Sequence, residues 1–126
     1  MEPIDKSNLR KIIRYSLIKV GIKCDLVAFN YLCYAVELVI LNSDLSTNLY
    51  ENIYAKIAEK FSAKSISCVE RSIRTAIDTL ANTKGFSTLN KMFNSELFSP
   101  YEKPTPGEFI NLMAEYHRTG LYKNPI

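Results

Sequence analysis

Basic side chains and helical periodicity coincide in one stretch of the chain. Apolar residues repeat every three to four positions before and after a break at residues 62–64, which predicts two helices joined by a short turn. Such a pair, over about residues 50–82, is a candidate helix-turn-helix, the motif that places its second helix in the major groove of duplex DNA. The cations of this stretch are Lys56, Lys60, Lys64, Arg71 and Arg74.

The second predicted helix separates an apolar face from a polar one. At about 100° per residue, Val69, Ile73 and Leu80 fall on one side of the helix, where they can pack into a core. The opposite side carries the polar residues Ser67, Arg71, Arg74 and Thr75. We therefore expect these polar side chains to face a partner or solvent.

The polar face has the chemistry that base recognition requires. Arg71, the predicted main base reader, can donate two hydrogen bonds to guanine O6 and N7, and the Glu70 carboxylate can accept one from cytosine N4. Arg74 is a supporting contact. These residues predict selectivity for particular base pairs.

A second set of residues suits the phosphates. Lys56, Lys60, Lys64 and Ser67 would contact the DNA backbone, which adds affinity but little sequence information. The spacing of Ser67 and Glu70 predicts a capping box at the start of the second helix. The same pattern also fits an amphipathic helical pair with a solvated basic face, so the pattern alone leaves both interpretations open.

The other parts of the chain indicate an all-α fold of about six helices. A first helix from about Ser7 ends at Gly21, and Asp25 caps a second helix that runs to about Asn42. Because Glu37 is the only charge in the second helix, we expect that helix to lie at the centre of the core. A capping box, Thr105-Pro106-Gly107-Glu108, opens the last helix. We interpret residues 1–126 as a single domain.

Composition excludes several classes of protein. With 47% hydrophobic and 23% charged residues, the 126-residue chain is neither disordered nor of low complexity. No apolar run is long enough to span a membrane or to form a signal peptide, so we predict a cytoplasmic protein with no membrane partner. Three cysteines and one histidine make a zinc site improbable, and we expect no cofactor. His117 is expected at the surface or near the helix C-terminal dipole.

Enzymatic motifs are absent from the sequence. It contains no glycine-rich phosphate loop, no G-x-S-x-G element and no pair of catalytic carboxylates. The sequence therefore predicts that the protein is not an enzyme.

One family shares these motifs. The runs Ile57-Ala58-Glu59-Lys60-Phe61 and Ser67-Cys68-Val69-Glu70-Arg71-Ser72-Ile73-Arg74-Thr75-Ala76-Ile77 closely resemble the DNA-binding effector domain of the sporulation stage zero protein A family of response regulators. Lys103-Pro104-Thr105 and Glu108-Phe109-Ile110 are similar to that family in order and spacing. The likeness extends over roughly residues 9–118.

The resemblance implies an all-helical effector domain that binds duplex DNA. It implies a recognition helix that reads a short element of TGTCGAA type, usually bound by two copies in tandem. By motif position, Glu70, Arg71 and Arg74 would contact bases or phosphates, with Ser67 at the start of the helix. Two positions depart from the family: Cys68 stands where the family usually has arginine, and Thr75 where it has histidine. Because both would face the nucleic acid, we expect a related but altered specificity.

A further departure concerns the N-terminus. The family's regulators carry an N-terminal receiver domain, whereas here Met1 lies only a few residues before the first predicted helix. Two interpretations stay open: the sequence is a piece of a longer protein, or it is a free-standing effector. For a free-standing effector we expect DNA binding that is constitutive, or that is controlled by abundance or a partner.

The sequence therefore predicts a sequence-specific, double-stranded DNA-binding transcriptional regulator. The alternative is a protein-interaction module that pairs with a homologous regulator or RNA polymerase and binds DNA weakly. Cys68 and Thr75 motivate that alternative.

Overall fold

Six α-helices build the part of the chain that the computed structural model describes, residues 6–42, 44, 48 and 50–120. A π-helical turn, Tyr50–Tyr54, leads into the third helix, and a 3-10 turn, Thr79–Asn82, continues the fourth. Extended pairing in these residues is limited to an isolated bridge between Ser99 and Glu102. The predicted all-α fold is confirmed. The helices are α1 Lys6–Val20, α2 Val27–Leu41, α3 Ala55–Phe61, α4 Ile66–Asp78, α5 Gly85–Met92 and α6 Pro106–Arg118.

Helix α2 lies at the centre of the fold, as its composition predicts. It packs against α1, α3, α4 and α6, and its apolar side chains Phe29, Leu32 and Val36 are fully buried. Its one charged residue, Glu37, is buried too, and the carboxylate accepts a hydrogen bond from Arg10 Nε on α1 at 2.5 Å. These four helices therefore take their orientation from the sides of α2 that they cover.

Two predicted helix boundaries are confirmed. Gly21 ends α1 with φ at +115°, a left-handed conformation that glycine adopts without strain. At the start of α6, Thr105 Oγ1 accepts from the Glu108 amide and Glu108 Oε1 accepts from the Thr105 amide, both at 3.1 Å. This is the reciprocal capping box that the sequence predicts.

Two predicted N-caps are wrong. The N-cap of α2 is Leu26, not Asp25, and it makes no side-chain capping bond. The N-cap of α4 is Ser65, whose hydroxyl accepts from the Cys68 amide at 3.1 Å. Ser67 is therefore already inside α4. The reason is that residue 65 has the extended conformation that capping requires, and the half-buried Ile66 that follows packs against the core as the first helical residue.

The expected position of His117 is also wrong. Its imidazole is buried between α1 and α6, and its Nε2 lies 2.9 Å from the hydroxyl of Ser16, which itself donates to the Ile13 carbonyl. Burial lowers the pKa of His117 to about 4. The ring is therefore neutral at pH 7, and it joins the first helix to the last instead of presenting a cation at the end of α6.

None of the helices in the described ranges has the length and apolar character needed to cross a bilayer.

The titration of His117 predicts a pH-dependent stability. Its pKa is lower in the folded chain than the ordinary value of 6.5, so the unfolded chain binds this proton at higher pH. The contribution of the neutral His117 ring to the free energy of unfolding is complete above pH 6.5 and is lost as the pH falls towards 4. The free energy changes by at most about 1.4 kcal/mol per pH unit. Urea unfolding at several pH values between 7.5 and 4.5 measures this pH dependence of the free energy of unfolding. His117→Gln keeps an N–H donor for Ser16 and should show a shallower dependence; equal slopes in both proteins would contradict the assignment.

The two serines at the start of α4 give a second test. Ser65→Ala removes the capping acceptor and should lower the free energy of unfolding by about 1 kcal/mol. Ser67→Ala should lower it less, because residue 67 lies within the helix. Thermal unfolding of both variants under one set of conditions decides the order, and a larger loss for Ser67→Ala would place the cap at residue 67.

Candidate nucleic-acid interface

Helices α3 and α4 are joined by a four-residue turn, residues 62–65. Ser62 ends α3 in a left-handed conformation, with φ at 54° and ψ at 43°, and the Ala63 amide then donates to the Ala58 carbonyl at 3.0 Å. This closes the last turn of α3 before Ser65 opens α4. The structure thus contains the two helices and the turn of a helix-turn-helix, within the range predicted from the sequence.

The two faces of α4 are those that the helical projection predicts. Val69 and Ile73 are completely buried, and Ala76 and Ile77 are nearly so. The side chain of Arg71 is exposed on the other face. Ser67, Arg74 and Thr75 are exposed as well. The buried stripe fixes the rotation of α4 about its axis, so the exposed face is held towards the outside of the domain.

Glu70 and Arg74 form an ion pair one helical turn apart. Arg74 donates to Glu70 Oε1 from Nε at 2.8 Å and from Nη2 at 2.5 Å. More than half of the Arg74 side chain and about a quarter of the Glu70 side chain remain accessible. Two of the guanidinium N–H groups are therefore engaged within the helix, and Glu70 acts first as the partner of Arg74. Sequence reasoning treats both residues as independent contacts and does not anticipate this pair, although the i, i+4 spacing of opposite charges is its signal.

Arg71 differs from Arg74 in this respect. Among the residues that the structure describes, none forms a hydrogen bond or an ion pair with the Arg71 guanidinium. All five of its N–H donors are therefore available to a ligand, in the planar arrangement that suits a guanine edge or a phosphate.

Tyr54, in the turn that precedes α3, lies close enough to Glu70 and Arg74 for both charges to act on its hydroxyl. The ring is buried, and burial raises the pKa of its hydroxyl to about 12, with a further increase from the Glu70 carboxylate. The Tyr54 hydroxyl thus remains protonated at neutral pH beside the pair. The proximity of Tyr54 to α4 has no signal in the sequence, because it depends on how the turn before α3 packs against α4.

The three lysines predicted to contact phosphates are all exposed but are placed differently. Lys56 lies on α3 and Lys64 in the turn. The ammonium of Lys60 stands 5.0 Å from the centre of the Tyr34 ring and 5.9 Å from that of Phe61. These are cation–π distances, so Lys60 is directed towards α2 at the end of α3. The sequence carries no signal for this, because Tyr34 is remote in the chain.

The two positions that depart from the family pattern also differ in exposure. Thr75 is exposed on the face that carries Arg71. Cys68 is half buried, and its amide is the donor to the Ser65 cap. Across the described ranges, His, Cys, Asp and Glu nowhere gather in a group of three or more that could hold a metal ion.

Most of the chain matches a known family. Residues 13–116 match the family described as sporulation initiation factor Spo0A C terminal. The match includes the C-terminal half of α1, all of α2 to α5 and nearly all of α6. This family is one of DNA-binding regulatory domains and not of enzymes. The chain thus belongs to the family of the C-terminal, DNA-binding effector domain of sporulation initiation factor Spo0A.

Proposed function

We propose that this protein is a sequence-specific regulator of transcription that binds duplex DNA by inserting α4 into the major groove. One observation carries the proposal: the aliphatic stripe of α4 is buried beneath an exposed guanidinium, that of Arg71, that has no partner in the described part of the chain. Family membership supports DNA binding in general, and the α4 geometry supports the choice of this helix as the reader.

In this proposal the residues of α4 have distinct roles. Arg71 reads a base pair through two hydrogen bonds, guanine O6 and N7 being the acceptors that match its geometry. The Glu70–Arg74 pair holds both side chains in one orientation. The second Glu70 oxygen is directed to a base donor such as cytosine N4, and the remaining Arg74 donors are directed to a base or a phosphate. Ser67, near the start of the 13-residue helix, suits a phosphate contact.

Lys56 and Lys64 are proposed as contacts to the DNA backbone on either side of the turn. As exposed ammonium groups they act as point charges that displace counterions from phosphates without selecting a sequence. Lys60 has its charge directed towards Tyr34 and Phe61, so we assign it a phosphate farther from the recognition helix.

Cys68 and Thr75 support an element that differs from that of the family's typical members. A half-buried thiol at position 68 offers no cation, and the threonine hydroxyl at position 75 is a shorter donor than an imidazole. We propose an element related to TGTCGAA with altered preference at the positions these residues face, bound by two copies in tandem.

A second candidate function follows from the same face. Because Arg74 is paired within α4 and Cys68 carries no charge, Arg71 is the arginine of α4 most available to DNA. This favours a module with weak DNA affinity that acts by binding a homologous regulator or RNA polymerase. Retardation of a family-type duplex no stronger than that of a random duplex, at two salt concentrations, would select this candidate.

Substitutions of Arg71 and Lys64 separate base reading from phosphate contact. Arg71→Ala should lower affinity for the preferred duplex by about 1–3 kcal/mol and relax selectivity at one base pair. Lys64→Ala should weaken binding to all duplexes alike and reduce the salt slope by about one unit. Fluorescence anisotropy with matched and scrambled duplexes at several salt concentrations measures both effects.

The control for these variants is Lys91→Ala, which removes an exposed cation from α5, outside the helix-turn-helix. It should leave affinity and selectivity close to those of the unmodified protein. Unchanged affinity and selectivity in both Arg71→Ala and Lys64→Ala would rule out docking through α4.

Replacing Glu70 tests the role of the ion pair. Glu70→Gln frees the Arg74 guanidinium and removes a negative charge from the face, so binding to scrambled duplexes should strengthen while discrimination between duplexes falls. The ratio of the two dissociation constants, measured as above, is the readout. A ratio equal to that of the unmodified protein would show that the pair does not orient the reading side chains.

A further inference from the structure

A cavity of about 230 Å³ lies between α1, α2 and α3, beside the helix-turn-helix but outside its reading face. Three cations line its wall. Arg10 and Arg14 come from consecutive turns of α1, and Lys60 comes from α3. Three positively charged side chains therefore line one small cavity.

Each of these cations is held in place by a neighbour. Arg10 Nε donates to the buried Glu37 carboxylate at 2.5 Å. Arg14 Nη1 donates to Asn30 Oδ1 at 3.2 Å, and its guanidinium carbon lies 4.9 Å from the centre of a phenylalanine ring on α2. Lys60 stands over the Tyr34 ring. Because these contacts order long side chains before any ligand arrives, a ligand would bind with a smaller loss of side-chain entropy.

The cavity has an excess of positive charge. Among its lining residues, all within the described ranges, Glu37 is the one carboxylate, and Arg10 already neutralises it. The positive charges of Arg14 and Lys60 are not offset by a carboxylate of the cavity wall. Cys33, which also lines the cavity, stays protonated and neutral because burial raises its pKa to about 11. No other group on the wall offsets the two remaining cations.

We propose that this cavity binds a phosphate group. Arg14 supplies a planar pair of donors and Lys60 a compact charge, the combination that recognises phosphate oxygens in proteins. The volume is below the range usual for drug-sized ligands and fits a single phosphate group.

The phosphate has two possible sources: a backbone phosphate of the bound DNA outside the element read by α4, or a free phosphate ester. The first source rests on the proposed function and the second does not. In either case the ligand would contact the last turn of α3, since Lys60 and Phe61 precede the turn to α4 directly.

The first experiment needs no DNA. Amide resonances of the ¹⁵N-labelled protein are followed while inorganic phosphate replaces chloride at constant ionic strength and pH. The expected result is saturable shifts confined to residues around Arg14, Asn30 and Lys60. Arg14→Gln and Lys60→Gln should each weaken this binding by about tenfold or more, equivalent to about 1.4 kcal/mol. Lys19→Gln, which removes an exposed cation of α1 outside this cavity, should leave it unchanged.

The second experiment measures the same variants with duplexes that have short or long flanks around the preferred element. Lower affinity and a salt slope reduced by about one unit, on the long duplex only, identify the DNA backbone as the source. Saturable binding of free phosphate with unchanged DNA affinity identifies a free phosphate ester. If the long duplex shows this loss and free phosphate also binds saturably, one site accepts both a DNA backbone phosphate and a free phosphate ester.

The proposal is overturned if free phosphate produces no saturable shifts and the two variants bind long duplexes as the unmodified protein does. Failure of the proposed function has a different signature: neither the unmodified protein nor any variant would discriminate between duplexes, while the phosphate titration would still report on the cavity. Circular dichroism of each variant confirms that the helices are retained.

Discussion

The burial of α2 is the constraint on which the rest of the structure depends. A helix of 15 residues with one charged side chain must be covered on several sides, and α1, α3, α4 and α6 cover it. Helix α4 joins this assembly through Val69, Ile73 and Ile77, so its rotation about its own axis is set by the core. The direction in which Arg71 points is therefore a consequence of hydrophobic packing, and the recognition face needs no ligand to form it.

The same constraint brings buried polar groups into the core, and each is matched by a partner from another helix. Glu37 of α2 is paired with Arg10 of α1, and His117 of α6 with Ser16 of α1. The histidine and the serine are 101 residues apart in the chain. These contacts connect α1 to both the centre and the end of the fold, and they explain why α1 is a structural part of the domain and not a detachable extension.

The sequence predicts the features that follow from periodicity and local spacing. The helices, the central place of α2, the stop at Gly21, the Thr105 capping box and the two faces of α4 all derive from residues within a few positions of one another. The predicted N-cap of α4, Ser67, lies two residues after the observed one, Ser65. Both serines offer a hydroxyl, and the packing of Ile66 decides between them.

Features that depend on residues remote in the chain are not predictable in this way. The burial of His117 requires Ser16, and the orientation of Lys60 requires Tyr34. Projection onto a helical wheel identifies a cation as outward-facing but does not show whether a neighbour already engages it. The candidate site is therefore predictable as a face. The i, i+4 spacing of Glu70 and Arg74 permits a pair, but the structure is needed to show that Arg74 is engaged while Arg71 is available.

The left-handed conformation of Ser62 limits which sequences can form this motif. A side chain that branches at Cβ clashes with the backbone at φ near +54°, whereas glycine and asparagine adopt this conformation more easily than serine. Glycine or asparagine at position 62 is thus expected to preserve the turn, and a β-branched residue to strain it. The geometry of the junction between α3 and α4 therefore depends on a backbone conformation that a single residue, Ser62, has to hold.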